Sequence, residues 1–127
     1  MSDRTAQGQR VLVCGGRDFN DRALFDRVMA PYRTQACAII TGCATGADAM
    51  ARSWAQTWGV PLDWYKADWK QHGRAAGPLR NRRMLDEGKP DLVIAFPGGR
   101  GTDDMCRQAE AVGVPVFRLV EMGGQAA

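Results

Sequence analysis

One repeated pattern constrains this chain more than anything else in it. A short apolar run stops at glycine, and a stretch with helical spacing follows. Arg10 to Cys14 runs into Gly15-Gly16, Ala36 to Ile40 into Thr41-Gly42, and Asp91 to Phe96 into Pro97-Gly98-Gly99. Short apolar runs bounded by glycine or proline read as buried strands. Between them, Leu24, Phe25, Val28, Met29 and Tyr32 fall on one helical face from about Asn20 to Arg33, with Asn20 or Asp21 as the N-cap. Ala47, Met50, Ala51, Trp54, Ala55 and Trp58 do the same from Gly46 to Trp58; Gly59 ends that helix and Pro61 prevents its continuation.

The remaining segments complete the alternation. Leu62 to Tyr65 reads as a strand, Lys66 to Gly77 as a polar irregular loop, and Pro78 to Glu87 as a helix with proline in its first turn. Thr102 to Val112 reads as a helix closed by Gly113, and Val114 to Val120 as a last strand. Strands alternating with helices imply a parallel sheet with right-handed crossovers. The expected fold is therefore α/β: a Rossmann-like three-layer αβα sandwich on a mostly parallel five-stranded sheet. A chain of 127 residues suits one such domain, placed at residues 10–120, with loose tails at 1–9 and 121–127.

Composition excludes several classes. The net charge of +3 suits an anionic ligand but is too weak to argue for nucleic-acid binding as the main role. Cys14, Cys37, Cys43 and Cys106 form no CxxC pair, and His72 has no partner at metal-ligand spacing, so reduced thiols, no metal and no cofactor are expected. No apolar run reaches the ~18 residues of a membrane span, and Met1 to Gln9 lacks the apolar core of a signal peptide. The expected location is cytoplasmic.

In open parallel sheets, ligands sit outside the carboxyl ends of the strands, near the point where strand order reverses. The glycine-rich stretches fall at those ends. Gly15 and Gly16 let backbone N–H groups approach an anion without interference from Cβ, and Arg17 adds a cation. The stretch is not GxGxxG, and no acid stands near residues 34 to 38, which argues against a dinucleotide dehydrogenase. A second stretch, Thr41 to Asp48, leads small residues and Gly46 into a helix N-terminus; Asp48 either complements the helix dipole or binds a ribose hydroxyl. The third, Pro97-Gly98-Gly99-Arg100-Gly101-Thr102, reads as an anion cradle with Thr102 at the N-cap. Asp103 and Asp104 follow as dipole-complementing acids or as sugar-binding and acid–base candidates. In the loop from Trp64 to Asn81, aromatic rings are candidates to stack on a base, although packing is the simpler role for Trp54 and Trp64. Arg80 and Asn81 are ligand-binding candidates, whereas the unpartnered His72 is a poor catalyst.

Taken together, GGRDF (15–19), TGCATGAD (41–48), HGRAAGPLRNRRM (72–84) and AFPGGRGTDDM (95–105) resemble the YspA-like, cpYpsA-related branch of the SLOG superfamily, over about residues 10 to 119. That resemblance implies a Rossmann-like fold and the binding of nucleotides or nucleotide-derived signals, and it suggests a homodimer. The superfamily includes the Lonely Guy phosphoribohydrolases, whose PGGxGTxxE motif carries a catalytic Glu and whose RKxxM motif carries an Arg. Here Arg80 and Met84 match the second motif, but Asn81 stands in place of Lys and Met105 in place of Glu. A thioether neither moves a proton nor stabilises a cationic sugar, and Asp104 lies about 100° round the helix from Met105.

The leading expectation is thus a binding or sensor module holding a nucleotide phosphate on Gly98, Gly99, Gly101 and Thr102, with Arg17 and Arg80 neutralising charge. An enzyme cleaving the N-glycosidic bond of a nucleoside 5′-monophosphate, with Arg80 and Asp104 in the working roles, is the first alternative. Single-stranded DNA binding like that of the related DprA is the second.

Overall fold

The structure is a computed structural model that describes residues 8–119. Five strands form its sheet: β1 (Gln9–Cys14), β2 (Ala36–Gly42), β3 (Leu62–Tyr65), β4 (Leu92–Ala95) and β5 (Val116–Arg118). They lie in the order β3-β2-β1-β4-β5, and every pairing is parallel. The helices are α1 (Arg22–Met29), α2 (Tyr32–Gln35), α3 (Ala47–Trp58), α4 (Trp69–His72), α5 (Ala76–Asp86) and α6 (Arg100–Ala111), with a 3₁₀ turn at Gly73–Ala75. The expected Rossmann-like α/β sandwich is what the chain forms.

The three central strands, β2, β1 and β4, bury both faces, which is why they read as near-continuous apolar runs, whereas the edge strands β3 and β5 expose Trp64 and Phe117. On one face Val11, Val13, Ile39 and Ile94 pack against Phe25 and Met29 of α1 and Ala51 and Trp54 of α3. Phe96 closes this side, its ring 4.8 Å from that of Phe25 and 5.1 Å from that of Phe19. On the other face Leu12, Ile40, Val93 and Ala95 meet Met84 and Leu85 of α5 and Met105, Cys106 and Ala109 of α6. Strand order reverses at β1, which lies between β2 and β4, so the loops after β1, β2 and β4 meet at one end of the sheet.

Several local expectations are corrected. The helix expected from Asn20 to Arg33 is two, α1 and α2, because Pro31 between them has no N–H to carry the helical ladder on. Asp21, not Asn20, caps α1, its carboxylate accepting from the Leu24 N–H at 3.1 Å. The loop after β3 is not irregular: Asp68 caps the short α4 by accepting from the Gln71 N–H at 3.1 Å. Helix α5 starts at Ala76, so Pro78 is its third residue, where an N–H has no helical partner to lose. Gly59 does end α3, in the left-handed conformation with φ 71°. Gln9, expected in a tail, is the first residue of β1 and pairs with Ala36. Residues 1–7 of the tail expected at 1–9, and the whole tail expected at 121–127, lie outside the described residues.

Candidate functional site

The three glycine loops are tied to one another through their backbones. The Gly16 N–H donates to the Pro97 carbonyl at 2.9 Å, and the Ala47 N–H donates to the Gly16 carbonyl at 3.1 Å. The Thr45 hydroxyl donates to the Arg17 carbonyl at 3.1 Å. This proximity requires glycine. A Cβ at Gly16 would stand 3.0 Å from both Gly98 Cα and the Pro97 oxygen, and one at Gly98 would stand 2.6 Å from Gly16 N. Gly46, with φ 71°, packs onto the carbonyls of Gly16 and Arg17.

A cleft of about 910 Å³ opens beside this knot, between the loops, α5 and the start of α6. Gly15, Gly16, Arg17, Asp48, Arg80, Asn81, Gly99, Gly101, Thr102 and Asp104 all line it. Pro97 and Gly98 instead face a second hollow of about 480 Å³, which shares Gly16, Arg17 and Gly99 with the first. Of the sequence-derived candidates, Gly46 lines neither; its place is in the backbone knot.

The loop after β4 leaves its amides open. Among the described residues, no carbonyl or carboxylate accepts from the N–H groups of Gly98, Gly99, Arg100, Gly101 or Thr102. The first helical bond of α6 runs from the Asp103 N–H to the Gly99 carbonyl at 3.0 Å. Gly99, not Thr102, is therefore the N-cap. Thr102 lies within the first turn, 4% exposed, its hydroxyl against Gly98 and without a protein hydrogen bond among the described residues. Five open donors at a helix N-terminus form a region of positive potential.

Arg80 reaches the cleft from α5, and its direction is set by Asn81. The Asn81 side chain is 3% exposed and uses both ends. Its Oδ1 accepts from Arg80 Nε at 3.1 Å, while its Nδ2 donates to the Gly101 carbonyl at 3.2 Å and to Asp104 Oδ2 at 3.0 Å. Asn81 thus fastens α5 to the glycine loop. Asp104 Oδ2 also accepts from Gln108 Nε2 at 2.8 Å, so its carboxylate is held at the cleft wall. Met105, one residue on, is 0% exposed in the core beneath α6.

Asp48 is the buried acid of the site, 6% exposed at the start of α3. It accepts from the Ala44 N–H at 3.2 Å and from the Thr41 hydroxyl at 3.3 Å. Burial pushes its carboxyl above the ordinary carboxylate range; the Arg80 guanidinium, these hydrogen bonds and Arg52 oppose that rise. Gly42 lies between the two charged groups. A Cβ there would stand 2.5 Å from Arg80 Nη1 and 2.6 Å from Asp48 Oδ2. Sequence reasoning passed over Gly42 and Arg52; Arg52 Nη1 holds the Gly42 and Ala44 carbonyls at 3.0 and 3.1 Å. The only signal for Arg52 was its place one helical turn beyond Asp48.

The aromatic groups divide. Trp54 is core, as expected. Trp64, expected to pack, is half exposed at 52% with the Arg52 guanidinium 5.8 Å from its ring. Trp69 lines the cleft, 49% exposed, with the Arg17 guanidinium 5.5 Å from its ring. His72 does not line the cleft. Cys14, at the end of β1, borders the cleft and is buried together with Cys106 in the core beneath α6. The interaction of the two thiols lowers Cys106 to about 7 and raises Cys14. No helix among the described residues is long and apolar enough to cross a membrane.

Comparison with known proteins meets the same residues. The family model described as YspA, cpYpsA-related SLOG family matches residues 9–72, which carry the first two glycine loops and α4. The Gene 61 protein of Mycobacterium phage D29 is 39% identical over 126 residues, covering 87% of this chain and 96% of the phage protein. That similarity extends the match across the third glycine loop and α6.

Proposed function

This chain belongs to the YspA, cpYpsA-related SLOG family, and from that premise we propose that it binds a nucleotide or nucleotide-derived ligand by its phosphate. Family membership points to nucleotide-related binding or modification. The observation that carries the finer reading is the run of open amides from Gly98 to Thr102 beside a cleft that holds Arg80. Backbone donors at a helix N-terminus favour negative charge, and a guanidinium grips phosphate in a bidentate manner. A phosphate on Gly99, Gly101 and Thr102 would accept from open N–H groups and the Thr102 hydroxyl. Arg80, aimed by Asn81, would neutralise it, while Arg17 and Trp69 offer a cation-backed aromatic face for the base. Asn81 serves here by positioning, since the protein occupies both ends of its amide.

A thermal-shift and calorimetric screen against AMP, GMP, CMP and UMP tests the reading. A ligand at 100 times its Kd adds about 2.7 kcal/mol of stability. Arg80→Ala should remove most of that gain. No stabilisation by any nucleotide would contradict the proposal.

One observation favours the hydrolytic alternative. Asp104 presents a carboxylate at the cleft although Met105 is buried. Two such groups, Arg80 on the phosphate and Asp104 near the sugar, suit cleavage of an N-glycosidic bond. Incubation with each monophosphate separates the readings: free base that appears with the wild type and not with Asp104→Asn supports the enzyme.

A further inference from the structure

The charge of the cleft exceeds what one phosphate needs. Six cationic side chains line it, Arg17, Lys66, Arg74, Arg80, Arg100 and Arg107, against two carboxylates, Asp48 and Asp104. That is an excess of four positive charges in one cleft, whereas the whole chain carries only +3. The positive charge is thus concentrated here, and the rest of the molecule is close to neutral.

These cations are not consumed by the protein's own acids. Among the described residues, Lys66, Arg74 and Arg100 pair with no carboxylate. Arg107 meets Asp104 only at 3.8 Å, on an exposed side chain. Arg17 faces the Trp69 ring, and Arg80 is held by the neutral Asn81 and faces Asp48 across Gly42 without an ion pair among the described residues, Asp48 being one of the two carboxylates already counted. Like charges gathered around one cleft repel, and a polyanion relieves that repulsion.

We infer that the cleft takes a nucleotide carrying two or more phosphates in preference to a monophosphate. This rests on the proposed nucleotide reading and names its ligand class. The phosphate nearest the sugar sits on the open amides of residues 99–102 and Arg80. The further phosphates lie toward Lys66 and Arg74, which come from β3's following loop and the 3₁₀ turn. A volume of about 910 Å³ is large enough for a whole nucleotide with its phosphate chain.

Calorimetry on the full chain in EDTA, at two salt concentrations, with AMP, ADP, ATP, inorganic pyrophosphate and an oligothymidylate, tests this. Affinity should rise by about tenfold from AMP to ADP, since each added phosphate gains charge-assisted bonds. The gain should shrink as salt rises. Pyrophosphate should bind more weakly than ADP, which identifies the nucleotide as the source of the phosphates. Lys66→Ala and Arg74→Ala are exposed-surface changes with little cost to folding, and each should weaken ADP more than AMP. Equal affinity for AMP, ADP and ATP, or tighter binding of the oligonucleotide than of any nucleotide, would overturn the inference while leaving phosphate binding intact. Absence of binding by every nucleotide would overturn the underlying reading itself.

Discussion

The loop after β2 and the loop after β4 look alike in sequence and differ in what they do with their charge. Both run from a strand through small residues to a helix N-terminus. The first carries a carboxylate of its own: Asp48 takes the Ala44 N–H and the Thr41 hydroxyl, and Arg52 holds the loop carbonyls. The second has no such group. Its nearest acid, Asp103, is paired outward with Arg118, and the amides from Gly98 to Thr102 stay open. A glycine-rich turn before a helix is therefore an anion site only where the chain has not already supplied the anion. In this protein the first loop builds the wall and the second offers the donors.

The comparison breaks most severely at Gly46. Gly46→Ala adds a Cβ at φ 71° onto the carbonyls of Gly16 and Arg17. Strain and overpacking should cost about 3 kcal/mol or more, read as a lower midpoint in urea. A loss below about 1 kcal/mol would show that the loops are not locked together.

Next in size is Arg80→Ala. It leaves the fold intact and removes the guanidinium beside the open loop. Phosphate-ligand affinity should fall by about 10- to 100-fold, the worth of a charge-assisted bond. It also removes the stronger of the two cations that oppose the rise of Asp48, leaving Arg52, so the Asp48 carboxyl should titrate still higher.

Asp48→Asn probes the first loop through pH. Burial raises the Asp48 pKa in the folded state above its unfolded value. Its favourable contribution is then present at acidic pH and is lost as pH rises through the folded pKa. The stability of the Asn variant relative to wild type should therefore improve as pH rises above the ordinary carboxylate range of about 4. A relative stability that is flat with pH would mean Asp48 is ionised as easily in the fold as out of it.

The smallest effect belongs to Gly101→Ala. Nothing lies within 4 Å of a Cβ there, and the residue sits in the first turn of α6. Alanine should raise stability by about half a kcal/mol. Any destabilisation would mean the loop needs glycine for its own backbone rather than for access to a ligand.

Much of this was legible in the sequence because the strong signals are local. Apolar runs stopped by glycine marked the carboxyl ends of β1, β2 and β4, and Gly59 with Pro61 marked the end of α3. Pro31 was equally visible but was outweighed by apolar spacing on both sides of it, so one helix was read where there are two. The α4 turn was missed because its cap, Asp68, precedes a segment too short to show periodicity. The candidate residues around the cleft were found from the glycine-rich strand ends and, for Arg80, Asn81 and Asp104, from their place next to a loop; the structure puts all three in helices. Their division of labour was not. That Gly46 serves the backbone knot, Asn81 aims Arg80, and Gly42 makes room between Arg80 and Asp48 depends on contacts between elements far apart in the chain. No pattern in one sequence encodes those distances.

The most direct measurement is an amide NMR titration of the intact protein with AMP. The open-loop account predicts the largest proton and nitrogen shift changes at Gly99, Arg100, Gly101 and Thr102, with smaller ones at Ala44 to Asp48. Shifts concentrated in the Ala44 to Asp48 segment, with residues 98–102 unmoved at saturation, would contradict it.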